Sequence, residues 1–388
     1  MMRTVKENVI PIRLLQKLAL GAAVLFVIIA AIAPERFWSN SLIAAFILVT
    51  LGLGGTVFIA LSYVCGASWN VSFRRVPEAM AATLPYTGIA LLALLAVRLG
   101  QYGWHHHGDG GAGTFWFKES WSNPQFWFSR AVAYILIWVC FSTAIIRVSR
   151  RQDRTGDVRL TFINRRLSVL FLAVYAVTFT LASCDWLMLL EPMWFSTIWG
   201  VYNFAGMFQA TLATIILLSL ALRRPGGPLC GSFTDEHLHD MGKLLFGFSC
   251  FWMYIWFSQY MLIWYTNIPE ETAFYFVRMQ GPWGPIMILS IVLNWIVPFF
   301  ILLPRPCKRS GSVMMKVAVV VLIGRWVDLY ITVFPATVGT TAVFGIPEVA
   351  AVCGMVGVFG WLFYRSFFAA PPVPSKDPFF SESVHHHI

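Results

Sequence analysis

Arg325 and Asp328 stand three residues apart in GRWVDLY (Gly324 to Tyr330), deep in an apolar run of the chain. On insertion scales each such charge at a bilayer centre costs about 2.5 to 3.5 kcal/mol, so a hydrophobic segment that keeps two of them needs a reason. The i,i+3 spacing puts both on one helical face, where they can pair. Facing other helices, such a pair can lock a bundle or pass protons along it.

Further ionisable residues belong to the same inventory. Asp185 and Glu191 lie in DWLMLLEP, six residues and thus about 9 Å apart along a helix. Asp185 is therefore inside the apolar run, and Glu191, before Pro192, is at its edge. A carboxylate buried without a partner favours its neutral form and exchanges protons readily, whereas a partnered one is a structural hydrogen-bonding group. Asp185 is a candidate for either role, or for contact with a quinone. Glu78 follows Arg74, Arg75 and Pro77 in SFRRVPEAM, where a carboxylate suits the first turn of a helix and can pair with arginine or take up protons. Lys243, with Asp235, Glu236, His237 and His239, precedes another apolar run, either as solvated loop charge or as a second proton entry. Glu348 opens the last apolar run and is expected to approach Asp328. Asn203, Gln209, Gln259 and Asn294 are the uncharged polar groups expected to support a proton route.

The elements that must position these groups are apolar helices. The chain has 388 residues, 58% hydrophobic and only 12% charged, against roughly 25% charged residues in soluble domains. Runs of about 20 apolar residues, enough to cross a hydrocarbon core, fall at Leu14–Ala33, Ser41–Val64, Met80–Val97, Phe126–Val148, Leu167–Leu190, Trp194–Leu222, Leu244–Ile268, Pro285–Leu303, Val313–Val333 and Glu348–Tyr364. The expectation is an all-α integral membrane protein of ten transmembrane helices. A single polytopic domain is expected over residues 1–370, and an extended C-terminal tail, with Pro at 371, 372, 374 and 378, over 371–388. The first run also has a signal peptide's layout, basic residues ahead of an apolar stretch ending Ala31-Ile32-Ala33; it is read as a first helix.

Most of the 28 Lys and Arg fall in alternate loops, with a dense set between Arg147 and Arg166. The positive-inside bias then places both termini in the cytoplasm. Basic loops against an anionic lipid surface account for the net charge of +10 without nucleic acid. All eight histidines lie outside the apolar runs, so no axial ligand pair for a membrane haem is expected. His105, His106 and His107, in a Gly-rich outer loop, do not readily converge on one metal ion. The seven cysteines are scattered singly, without the clustered spacing of zinc or iron-sulfur ligands.

Taken together, YVCGASWNVSFRRVPEAM (Tyr63 to Met80), SCDWLMLLEPMWFSTIWGVYNFAG (Ser183 to Gly206), NWIVPFFILLPRPCKR (Asn294 to Arg309) and GRWVDLY followed by Pro335 resemble the NrfD-like family of membrane anchors. Within it they are most similar to the ActF subunits of bacterial alternative complex III, a quinol:cytochrome c or other electron-acceptor oxidoreductase. The resemblance implies two four-helix bundles, from helices 2–5 and 6–9, plus two peripheral helices. It also implies a bacterial inner (cytoplasmic) membrane location. The implied partners are a second NrfD-like membrane subunit, an iron-sulfur protein and cytochrome c subunits. Quinol, haem c and iron-sulfur clusters then belong to those partners, with no cofactor bound by this chain. A proton-path role falls on Glu78, Asp185, Arg325 and Asp328. Two other readings are a quinone-binding anchor and a stand-alone secondary transporter, whose buried charges would bind substrate.

Overall fold

The computed structural model describes residues 12–97, 121, 123–191, 194–339 and 341–386. The His105–His107 loop, the basic residues Arg3 and Lys6, and His387 lie outside the described residues. Among the described residues the chain is all helix and turn, without strands. Eight helices among the described residues are long and apolar enough to cross a membrane, which makes this an integral membrane protein.

In order, the helices are α1 (Ile12–Ile32), α2 (Pro34–Val64), α3 (Arg75–Ala81), α4 (Leu84–Val97), α5 (Pro124–Thr155), α6 (Arg159–Trp186), α7 (Trp199–Leu222) and α8 (Asp235–Thr266). There follow α9 (Pro269–Met279), α10 (Trp283–Ile291), α11 (Val297–Leu302), α12 (Arg305–Arg309), α13 (Gly311–Thr337), α14 (Ile346–Phe367) and the short α15 (Phe380–Val384). Their ends follow capping chemistry. Asn123 accepts from the backbone N–H groups of Gln125 and Phe126 at 3.0 and 3.3 Å ahead of Pro124, and Gly156 closes α5 with φ 71°. At the start of α8, His237 Nδ1 accepts from Thr234 N–H at 3.0 Å.

Two helices form the interior. Nearly all of α2 from Trp38 to Ala60 is buried, as is most of α7. Around α2 pack α3, α4, α6, α13 and α14; around α7 pack α6, α8 and α13, and α2 and α7 touch each other. Glycine allows that closeness. A Cβ on Gly55 would come within 2.6 Å of Pro77 O, and one on Gly54 would run into the Thr211 side chain. Outward-facing side chains such as Leu136, Val177, Tyr254, Ile288 and Phe300 are apolar or aromatic and exposed, as on a surface solvated by lipid.

Backbone groups with no water nearby must find partners inside the protein. Where proline breaks the ladder, a long polar side chain supplies the missing donor. The α10–α11 segment passes through a π turn at Val292–Ile296 just before Pro298, which cannot donate to Asn294 O, and Gln209 Nε2 donates there at 2.6 Å. In α13, Pro335 leaves Ile331 O without its usual donor. Arg278, reaching in from α9, donates from Nε to Ile331 O and from Nη2 to Thr332 O, each at 3.0 Å. Lys308 closes α11 in the same way, its ammonium 2.6 and 3.1 Å from Leu302 O and Leu303 O.

The proline-rich tail differs from expectation. It does not run free: residues 371–386 fold back over the end of the molecule where α2 stops and α3 begins, and Phe380–Val384 turns into α15. Ser383, fully buried, donates to Trp69 O at 2.6 Å and accepts from Ser72 N–H at 2.9 Å. Sequence-local contacts cannot anchor so polar a segment; a preformed polar recess on the rest of the chain does.

Candidate functional site

Asp328 is gripped from two helices. Arg325, one turn earlier on α13, donates to its Oδ2 at 2.6 Å, and Tyr202 of α7 donates to its Oδ1. The second arm of Arg325 reaches Asn203 Oδ1 at 3.3 Å. The guanidinium lies against Gly206, where a Cβ would be 2.4 Å from Nη1. All four side chains are buried. A single ion pair deep in a protein rarely recovers its desolvation cost unless other hydrogen bonds satisfy the remaining atoms, and Tyr202 and Asn203 do that here.

Beside Asp328 is a cavity of about 30 Å³, also lined by Tyr202, Gln259, Tyr275, Arg278 and Ser290. That is room for one or two water molecules. Gln259, 3% exposed, has no hydrogen-bond partner for its Nε2 among the described residues. The polar line continues inward. Asn294 Nδ2 donates to Ser290 O at 2.9 Å, and Gln209 Nε2 meets both Asn294 O and Ser249 Oγ, the latter at 2.9 Å. At the other end Arg278 Nη2 pairs with Glu191 Oε1 at 2.5 Å. The four uncharged residues expected to support a route, Asn203, Gln209, Gln259 and Asn294, are all buried.

A second polar line runs on α5. Arg130, Tyr134, Trp138 and Ser142 recur every four residues, and Ser149 and Gln152 continue the same buried face. Arg130 holds Asp185 through two hydrogen bonds, Nε to Oδ2 at 3.0 Å and Nη2 to Oδ1 at 2.9 Å. Tyr134 and Trp121 donate to the same carboxylate, each at 3.0 Å. Trp138 then donates to Thr178 Oγ1 at 2.9 Å, and Thr56 to Ser142 Oγ at 3.0 Å. At the far end Ser149 donates to Glu78, which also pairs with Arg75 and lies 3.4 Å from Arg74 Nε. Asp153 joins this cluster, paired with Arg75, and Asp377 from the tail meets Arg74 Nη2 at 2.7 Å.

Of the six residues singled out from sequence, only Arg325 and Asp328 come together. Glu78 and Asp185 terminate the α5 line at opposite ends, each with arginine. Asp185 is thus not the unpartnered carboxylate that one of its readings required; its partner Arg130 lies about one helical turn into the run Phe126–Val148. Glu348 does not turn to Asp328. Its oxygens are taken by Arg36 at 2.5 Å, Asn40 Nδ2 at 3.0 Å and Gly345 N–H at 2.7 Å, so it pins the start of α14 to α2. Lys243 is about half exposed and pairs with Asp240 at 2.5 Å.

Sequence reading missed Arg130, Arg278 and Tyr202. Two of them had a signal: a four-residue recurrence of polar and aromatic groups for Arg130, and for Arg278 the Pro335 that leaves Ile331 O without its donor. Among the described residues no three His, Cys, Asp or Glu side chains gather where they could hold a metal ion.

No protein-family model matches this chain, and no curated protein matches it either. What the fold and these sites define is a class: a polytopic, all-α membrane protein with polar groups carried through its interior.

Proposed function

We propose that this chain is an integral subunit of a respiratory quinol:electron-acceptor (cytochrome c) oxidoreductase, NrfD-like and closest to the ActF type, that conducts protons and holds the complex together. The observation that carries the proposal is the buried Arg325–Asp328–Tyr202 cluster beside a water-sized polar cavity. Asp328 can exchange a proton with water in that cavity while Asn203 keeps hold of the Arg325 guanidinium. The Gln209–Ser249–Asn294–Ser290 line extends the route toward the molecule's middle, and Arg278 with Glu191 marks its other mouth. Bound water completes the gaps between these groups.

In this reading α1 and the aromatic-rich α8 join the eight apolar helices to make ten spans. α2 with α3–α4, α5 and α6 forms one four-helix bundle, and α7, α8, α10–α11 and α13 form the other. Both termini face the cytoplasm of a bacterial inner membrane, which puts the folded tail and Glu78 on the proton-uptake side. Quinol is oxidised, and haem c and iron-sulfur clusters are held, by the partner subunits. Pumping requires that quinol oxidation change proton affinity or access within this chain. The bidentate Arg130–Asp185 pair favours a structural role for Asp185 over quinone contact.

Affinity purification of the tagged chain from native membranes, with redox spectra of the eluate, tests the partnership. Haem c and iron-sulfur signals should co-elute in fixed ratio. A monomer that transports a solute unaided would establish the transporter reading instead.

A further inference from the structure

The chain's own C-terminal segment lies against the two arginines that hold Glu78. Arg75 Nε donates to Pro371 O at 3.2 Å, and Arg74 donates to Asp377 at 2.7 Å. Beyond them the segment enters a recess. Ser68 Oγ donates to Glu382 at 2.7 Å, Ser383 bonds Trp69 O and Ser72 N–H, and His237 Nε2 donates to Ser383 O at 3.0 Å. His386 ends the run 2.8 Å from Asp240. The strap therefore crosses from the α2–α3 connection to α8, touching both halves of the molecule at one end.

Three features separate this from ordinary tail packing. Glu78, Arg74 and Arg75 are each 3% exposed or less with the strap in place. The strap is held mainly by hydrogen bonds and ion pairs, with Val373 packed on the core, and the polar groups it carries re-solvate on release. Finally, Arg74 is not stranded when Asp377 leaves, because Asp153 at 3.5 Å and Glu78 at 3.4 Å remain beside it. The cluster beneath is complete without the strap, so the strap can open without leaving a buried charge unpaired.

We propose that residues 371–386 are a gate over the Glu78 cluster, closed as seen here and opened by release of the Asp377 and Ser383 contacts. The proposal rests on the reading of Glu78 as a proton-uptake group only for its purpose; the gating itself is a matter of access. Because the strap spans α3 and α8, a shift between the two halves would strain its contacts and open it. Regulation of uptake would then be tied to motion elsewhere in the complex.

The test uses full-length protein carrying Asp377→Ala or Ser383→Trp, with a water-soluble carbodiimide as the probe of Glu78 and hydrogen exchange across 371–386 as the monitor of the strap. Glu78→Gln controls for the labelled site. The expected result is faster exchange in the strap and Glu78 modification raised by about tenfold or more. Faster strap exchange with unchanged Glu78 modification would overturn the gate, and so would a strap that neither variant loosens. If modification rises but Glu78→Gln pumps normally in the assembled complex, the uptake reading of Glu78 fails while the gate stands.

Discussion

The side-chain amide of Gln209 donates to the carbonyl of Asn294 at 2.6 Å, and that carbonyl is the one Pro298, four residues on, cannot serve. A residue on α7 thus repairs a break in another helix. The repair fixes the π turn that carries Asn294 toward Gly324, whose added Cβ would meet the Asn294 side chain at 2.9 Å. Gln209→Leu should cost about 1 to 3 kcal/mol, the usual penalty for a buried unsatisfied carbonyl. Pro298→Ala restores a backbone donor, so in the double variant much of that cost should vanish. Unfolding of the detergent-solubilised single and double variants measures the coupling.

Asp185 and Arg130 make the corresponding lock at the end of α6. Asp185→Ala leaves Arg130 buried without its counter-charge and should destabilise by about 3 to 5 kcal/mol. Replacing both by apolar residues should cost much less than replacing either alone. Thermal unfolding of the two single variants and the double variant decides this, and equal costs throughout would contradict the lock.

Gly206 gives Arg325 its room. Gly206→Ala puts a methyl group against the guanidinium from a helix that cannot easily retreat, since α7 is packed on both sides. The expected outcome is a modest loss of stability, about 1 to 3 kcal/mol. Proton translocation should fall further than that loss explains, because the arm displaced, Nη1, is the one that holds Asp328. Gly247→Ala, in a helix with open space around it, is the control and should lower neither, helix propensity favouring the alanine.

His237, two turns ahead of the apolar part of α8 at Leu244, links acidity to the strap. Burial, and then the neighbouring His386, lower its pKa from 6.5 to about 4, with Asp240 opposing. The geometry fits a neutral ring: Nδ1 accepts from Thr234 N–H and Nε2–H donates to Ser383 O. The folded state therefore disfavours the charged form, so this contribution to stability is complete above pH 6.5 and is lost as pH falls toward 4. Protection of the amides in 371–386, taken relative to their intrinsic exchange rates, should fall over that window, and His237→Gln should flatten the dependence.

Much of the architecture could be read in advance because lipid imposes it. A run such as Ser41–Val64 has few alternatives to a buried helix, and Arg325 with Asp328 announced their pairing by spacing alone. What stayed hidden depends on which helices touch. Glu348 chose Arg36 because α14 packs on α2, a relation with no trace in local sequence. The pairing of Arg130 was not legible because one charge near the start of an apolar run looks like a helix end until Asp185, 55 residues later, is brought opposite. The strap was invisible for the same reason, its recess being assembled from Trp69, Ser72 and His237.

The claim that protons pass by the Arg325–Asp328 pair is tested most directly by protons translocated per electron in vesicles containing the assembled complex. The comparison is wild type against Asp328→Asn. The account predicts a lower ratio in the variant, with electron transfer and the haem and iron-sulfur content intact. An unchanged ratio in a fully assembled Asp328→Asn complex would contradict it and leave the pair as a fastening between α7 and α13.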